Sequence, residues 1–356
     1  MATPKFPKAA VSFHSELKKR IADHFNKNGK APTGNMMLYV KAFVLLSAFF
    51  ALYIHLVFFT PAAFWAILEC VLFGFVIATI GFNVMHDGAH GSFSRYKWAN
   101  NMASNVANFL GASQHMWKSK HNIIHHTYTN IHGVDDDIEA RPLLRLCDTQ
   151  AHYKIHNYQH YYFWAAYSLL YIYWIFVTDY KKYFSGKIGT TPLRKMTLPE
   201  HISFWFYKVA HAIIFVALPI YLVGFLPWLI GFLTMGFVTG FVLSIVFQLA
   251  HTVEHTHFPL PEELTGKMED EWAIHQIKTT ANFATRNKVI SWLCGGLNFQ
   301  IEHHLFPKIS HVHYPQISKI IKQACKEFGI EYVEYPKMTQ AIKSHVLYLK
   351  HVGQAA

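Results

Sequence analysis

Residues 71–90 read VLFGFVIATIGFNVMHDGAH, an apolar run without charge as far as Met85 that ends in two histidines four positions apart. A helix of about 20 such residues is long enough to cross the hydrocarbon core of a bilayer. If the helix continues past Val84, His86 and His90 fall on one face, one turn apart. A membrane span is thus expected to deliver a pair of imidazoles to the point where it leaves the lipid.

On its amino-terminal side a second apolar run, Met37 to Thr60, is separated from Ala62 to Val84 only by Pro61, so 37–84 is expected to form a tight transmembrane hairpin. The pattern returns at Ser203 to Leu222 and Phe225 to Gln248, joined by a turn with Gly224 and Pro227, which gives a second hairpin over 203–250. Neither turn carries a charge, whereas Lys18, Lys19, Arg20, Lys27, Lys30 and Lys41 precede or open the first span. The positive-inside rule then places the amino terminus in the cytoplasm. Composition agrees: of 356 residues only 15% are charged and 52% are hydrophobic, against roughly 25% and 45–50% in soluble domains. A net charge of +11 on such a chain suits anionic headgroups or acidic partners, and no basic helix or RNA-type aromatic motif points to nucleic acid. The four cysteines are widely spaced, without a CxxC pair, and read as free thiols. The polar, lysine-rich opening lacks the short apolar core of a signal peptide.

Between the hairpins the aromatic run Tyr161 to Val177 has the hydropathy of a fifth span. Were it to cross, the histidines near 86–126 would lie on the opposite side of the membrane from those near 251 and 303. An amphipathic helix lying in the interface over 161–178 keeps them together. Beyond 250 the chain turns polar, with Glu262, Glu263, Glu269, Asp270 and Glu271 read as a solvated loop. Then Ile317, Ile320, Ile321, Ala324 and Phe328 recur at helical spacing up to Gly329. The expectation is one all-α integral membrane domain over 1–356. It comprises a polar cytoplasmic segment 1–36, cytoplasmic histidine boxes over 85–160, and a cytoplasmic helical cap over 251–356.

The chain has 25 histidines, but spacing is what carries information. HDGAH supplies His86 and His90; HNIIHH supplies His121, His125 and His126; QIEHH supplies His303 and His304; and QLAH puts His251 where the last span surfaces. A single HxxxH is commonly a surface pair. Three boxes beside membrane spans, all on one side, read instead as metal ligands. Neutral imidazole suits iron, copper, zinc and nickel, and eight rings exceed what one ion holds, so two ions are expected. His14, His152, His156, His160, His211, His311 and His313 lack such company and read as interfacial or solvated. His255, one turn past His251, is a ligand, a supporting partner or simply exposed. Gln300 heads the third box, where its carbonyl can ligate weakly or hold a water, or its amide can orient His303 or His304. Asp87, Asp137 and Glu302 are candidate acceptors for the second ring N–H of ligating histidines, although Asp135, Asp136 and Asp137 read equally well as a solvated acidic cluster. His55 and Glu69, inside the first hairpin, are expected to pair.

HDGAH, HNIIHH with the following TYTNIHGVDDD, and GGLNFQIEHHLFP together resemble the three boxes of the membrane fatty acid desaturase family, over about Met37 to Tyr335. The glutamine-headed third box and QLAH are similar to those of front-end desaturases, which act between an existing double bond and the carboxyl end. The resemblance implies two iron ions held by His86, His90, His121, His125, His126, His251, His303 and His304. It also implies dioxygen as co-substrate and loss of two hydrogens from adjacent methylenes of an acyl chain. No His-Pro-Gly-Gly haem signature of a fused b-type cytochrome domain is present. The two electrons are then expected from a separate carrier, a ferredoxin or b-type cytochrome. The substrate expected is a membrane lipid or acyl thioester, at a bacterial inner membrane or endoplasmic reticulum. A membrane hydroxylase is the nearest rival, distinguished by its product. A histidine-rich transporter or sensor should carry polar groups through its spans, and the second hairpin has almost none.

Overall fold

The computed structural model describes residues 3–8 and 12–355, so the expected segments 1–36 and 251–356 extend, at residues 1, 2, 9–11 and 356, outside the described residues. Helix α1 (Phe13–Asn28) begins at the Ser12 cap and buries Phe13, Leu17, Ile21 and Phe25 at helical spacing. Among the described residues four helices are long and apolar enough to cross a membrane: α2 (Met36–Phe58), α3 (Ala63–His90), α7 (Leu198–Val223) and α8 (Phe225–His251). Asn35 caps α2 by accepting from the Leu38 N–H at 3.2 Å, and Gly224 alone separates α7 from α8. Outward residues such as Phe43, Phe64, Ile213 and Phe225 are exposed, as a lipid-facing surface requires. Both hairpins fall where the apolar runs place them. Their spans differ from the expected limits mainly in running on to His90 and His251: imidazole reads as polar in a hydropathy profile, yet the helical ladder continues through it.

Helix α4 (Lys97–Phe109) and the continuous helical stretch α5 (114–128) carry the chain across the mouth of the bundle. Helix α6 (159–185), interrupted at Leu169, covers the expected interfacial segment. Its two ends are tied to the same layer. At one end Gln159 Nε2 donates to the carbonyls of Arg145 and Leu349 at 2.9 and 2.8 Å. At the other, Lys182 Nζ pairs with Asp136 at 2.8 Å. Both anchors lie on the side of the bundle that carries the histidine boxes. Between these anchors it presses on α8, where a side chain at Gly240 would run into the carbonyl of Ser168. The expected amphipathicity needs correction. Phe163, Tyr167, Tyr171 and Ile175 form the buried stripe, but the opposite face is aromatic and apolar (Tyr161, Trp164, Tyr173, Phe176) and not polar.

The cap consists of α9 (Trp272–Lys278), α10 (Lys288–Leu293), α11 (Gln300–Leu305), α12 (Tyr314–Phe328) and α13 (Met338–Gln354), with α1 packed on α12. Among the described residues there are two pairs of two-residue strands: β1 (Lys187–Ile188) with β2 (Thr191–Pro192), antiparallel, and β3 (Asn282–Phe283) with β4 (Glu334–Tyr335), parallel. The acidic loop before α9 is largely exposed, except that Glu271 is buried and accepts from the His14 N–H at 3.1 Å.

Candidate metal centre

Box one is delivered by the end of α3. A π-helical segment, Gly81–Met85, precedes His86–His90, and the helix stops at Gly91. Gly88 faces α4 so closely that a Cβ there would lie 2.6 Å from Ala103 Cβ and Ser104 N. Box two lies in α5, where Ser119–His125 is again π-helical. That winding explains why three rings of HNIIHH converge. In an α-helix of about 3.6 residues per turn the residue at i+5 points about 140° away from i, whereas at roughly 4.4 residues per turn i+4 and i+5 flank it on either side. His125 and His126 thereby both join His121. Box three is the short helix α11, buried along its whole length.

All eight box and span histidines come together, and all are buried. His86, His90, His121 and His303 form one group whose nitrogens lie within 4.8 Å of one another, and His125, His251 and His304 form another. His126 joins them, its ring centroid 4.6 Å from that of His303 and 4.4 Å from that of His304. His121 Nε2 faces the Nε2 atoms of both His86 and His126 at 3.2 Å. Neutral ring nitrogens opposed at that distance need a cation or proton between them.

The outer nitrogens are anchored. His125 Nδ1 donates to Asp135 Oδ2 at 2.9 Å, His304 Nδ1 to Gln276 Oε1 at 2.8 Å and His251 Nδ1 to the carbonyl of Thr279 at 3.2 Å. His303 Nδ1 lies 3.1 Å from Tyr314 Oη. His125 Nε2, His303 Nε2 and His90 Nε2 are buried without a hydrogen-bond partner, and so are His86 Nδ1 and His126 Nδ1, on rings whose Nε2 faces His121. Buried polar atoms are almost always satisfied, so orphaned nitrogens gathered in one cluster of eight buried rings fit a metal-ligand set. Trp117 stacks on His121 at 4.4 Å and Phe247 packs on His125 and His251 at 5.0 and 4.8 Å, which keeps the lining apolar.

Burial drives the rings to the neutral, ligating form: it lowers His121 to about 4 and holds His126, His303 and His304 well below the ordinary value. His125 differs, because burial is outweighed by the charge and hydrogen bond of Asp135 with help from Asp137, and its basicity is raised. Burial also works against the Asp137 carboxylate, but Lys120 and the adjacent rings hold it well below the usual range.

The supporting residues depart from expectation in several places. Asp87 Oδ2 takes its bonds from Ser310 and His311, at 2.8 and 2.9 Å, not from a box ring. Glu302 bonds to Asn282 and Tyr332, each at 2.7 Å, because as a helical neighbour of His303 it points off the ligand face. Asp137 Oδ2 lies 3.5 Å from His125 Nδ1 and 3.9 Å from His121 Nδ1, and Asp135 is 3% exposed, so this part of the acidic cluster is not solvated. His255 is exposed and lies outside the ligand groups. His156, His160, His211, His311 and His313 are buried rather than interfacial or solvated; His311 is held by Asp87 and His313 by the Thr33 carbonyl. Gln300 Nε2 sits 3.1 Å from His251 Nε2 and 3.4 Å from His304 Nε2, while its Oε1 has no partner. Half a turn of the amide exchanges the two atoms and aims the carbonyl at the same cavity. Gln276, Tyr314 and Thr279 were not foreseen; only Asp135 and Thr129, whose hydroxyl donates to Gln276 Oε1 at 2.8 Å, carried a signal by proximity, in the TYTNIHGVDDD that follows box two. His55 and Glu69 pair at 2.8 Å, as expected.

The family model for fatty acid desaturases matches residues 61–336. The chain belongs to the fatty acid desaturase family. This desaturase is 33% identical over 346 residues to the sn-1 linoleoyl-lipid 6-desaturase of Arthrospira platensis, covering 97% of this chain and 93% of that protein. It is 35% identical to the enzyme of the same name from Synechocystis sp., covering 97% and 96%. It is 34% identical to the acyl-lipid (8-3)-desaturase of Physcomitrium patens, covering 98% and 75%. The desaturase is thus an oxygen-dependent oxidoreductase of the membrane, acting on lipid, with a buried histidine metal site.

Proposed function

We propose that this desaturase places a cis double bond in the acyl chain of a membrane lipid, on the carboxyl side of an existing one, at two iron ions. The observation that carries the reading is the cluster of eight buried histidines, five of whose ring nitrogens are unpartnered. His86, His90, His121 and His303 would hold one ion. His125, His251 and His304 would hold the other; His126 groups with His303 and His304, and Gln300 lies beside His251 and His304. When bound, iron supplies activation of dioxygen by two external electrons and removal of two hydrogens from neighbouring methylenes.

The chain's own residues prepare that chemistry. Asp135, Gln276, Thr279 and Tyr314 fix ring orientation and tautomer by occupying each Nδ1. Trp117 and Phe247 exclude water and offer an apolar surface to methylenes. The hairpins bring the site to the bilayer edge, so an acyl chain reaches it without its headgroup leaving water. The lysine-rich opening segment supports a cytoplasmic site, and the electron donor is read as a separate ferredoxin or b-type cytochrome. The names of the relatives favour an acyl-lipid over a thioester and a front-end position over a methyl-end one. Expression in a desaturase-poor host fed defined unsaturated fatty acids, with double-bond mapping of each lipid class, tests this. The expected product gains one double bond nearer the carboxyl group; a hydroxylated chain, or none altered, contradicts it.

A further inference from the structure

The cap carries a basic face that the metal cage does not use. Helix α12 buries Ile317, Ile321, Ala324 and Cys325 and leaves Lys319, Lys322 and Lys326 exposed. Helix α1 packs alongside, joined by Arg20 to Glu327 at 2.7 Å, and exposes Lys18, Lys19 and Lys27. The two helices hold seven basic side chains; against them stand three carboxylates of their own and Glu331 and Glu334 beside the crevice, the latter paired with Lys322, so the face is net positive. Between α12 and residues 330–332 lies a crevice of about 570 Å³ walled by Lys319, Lys322, Lys326, Cys325, Ile330 and Tyr332.

One wall of this crevice is bonded to the ligand helix. Tyr332 Oη donates to Glu302 Oε1 at 2.7 Å, and Asn282 Nδ2 reaches both Glu302 Oε2 and Tyr332 Oη at 2.7 Å. Asn282 Oδ1 in turn accepts from the Ile301 N–H at 3.0 Å. Glu302 precedes His303 directly and touches no ligating ring, so its closed set of bonds has no part in holding metal. A second tie lies at the start of α12, where Tyr314 meets His303. The basic face and the ligand helix are adjacent layers, which packed helices place about 8–10 Å apart, axis to axis.

We propose that the lysine face of α12 docks an acidic one-electron carrier protein, with Tyr332, Glu302 and α11 as a bonded route from that surface to His303 and His304. This rests on the reading that a separate carrier supplies the electrons. Each docking event would oxidise the carrier by one electron, which the metals, when held by the box histidines, would accept. Two events supply the pair that, with dioxygen and two protons, converts –CH2–CH2– to –CH=CH– and two waters. A lipid surface is the less suitable occupant. The outer face of α12 presents Pro315, Gln316, Lys319, Lys322, Gln323 and Lys326, with none of the Trp, Phe or Leu that an interfacial helix inserts. Its one exposed large apolar group, Phe328, is the last residue and packs edge-on against Phe13 at 5.1 Å.

The test uses the full-length protein in lipid nanodiscs, with a plant-type [2Fe–2S] ferredoxin and the soluble haem domain of a b-type cytochrome as probes. Binding is measured by interferometry at about 0.02 M and about 0.2 M salt, and carrier oxidation by stopped flow. The wild type should bind at least one carrier at low salt and lose affinity as salt rises. K319E/K322E/K326E should weaken that binding by about tenfold or more with metal content unchanged, while the control K337E/K343E/K350E on α13 changes it by less than about twofold. Tyr332→Phe should bind as wild type yet oxidise saturating carrier more slowly. The proposal is overturned if the α12 variant binds as wild type, if the control loses equally, or if neither carrier binds the wild type. It is also overturned if the only loss is of affinity for anionic vesicles, and an unchanged rate in Tyr332→Phe overturns the route. Acyl product formed with dithionite separates the two readings. Its presence in the wild type alongside unaltered carrier binding in the α12 variant refutes docking alone, and its absence with dithionite and carriers alike refutes the desaturase reading beneath it.

Discussion

Asp135 serves His125 as Gln276 serves His304, Thr279 serves His251 and Tyr314 meets His303: each meets Nδ1, which fixes the ring and leaves Nε2 to the cavity. Such partners typically govern metal affinity by 10–100-fold, so Asp135→Ala is expected to weaken metal retention by about that factor in a chelator competition while the spans still insert. Retention equal to wild type would remove Asp135 from that role. The ligands themselves were legible because HxxxH spacing is local and survives in any helix. Their supports were not, because Gln276 and Thr279 stand 28 positions from the rings they hold, and Tyr314 stands 11. The sequence neighbours Asp87 and Glu302 misled for the complementary reason: adjacent residues on a helix point about 100° apart. Buried histidines such as His156 and His311 were unreadable, since imidazole has no hydropathy that distinguishes a satisfied core ring from a solvated one.

Helices α3 and α5 are where local winding decides chemistry. Apolar periodicity revealed both hairpins, but a π turn inserts one residue into the helical ladder without changing composition. That turn brings His126 in beside His121 and His125, and a regular α-helix would have turned it away. Close approach is the other hidden determinant. Gly88 allows the box-one turn to rest on Ala103 and Ser104, so Gly88→Leu is expected to displace His86 and His90. Overpacking of this kind costs about 1–3 kcal/mol or more. The variant should lose most of its metal and its product while protease mapping still finds four spans. Wild-type metal content in Gly88→Leu would show that α4 yields instead.

At the scale of the molecule, two hairpins and an α6 anchored at both ends place every box on one side of the bundle, which is what the parity of the spans requires. Burial then makes the cap acid-sensitive. His345 is enclosed by Tyr167 and the Thr252 carbonyl, His275 bonds to the Thr129 carbonyl, and burial holds each ring near 4 against the ordinary 6.5. A lowered folded value means that the neutral ring contributes stability fully above about pH 6.5, and that the contribution is lost as pH falls toward 4. Each ring contributes up to about 3 kcal/mol on this scale. Thermal midpoints in detergent should therefore fall across that window, and His345→Gln should shallow the fall; a flat profile over pH 6.5 to 4 would contradict this.

The metal content of the purified protein bears most directly on the whole account. Wild type should contain two iron ions per chain by mass spectrometry, and His303→Ala should contain fewer and make no unsaturated product while remaining inserted in the membrane. One ion per chain, zinc in place of iron, or full desaturation by His303→Ala would contradict a histidine cage built for two irons.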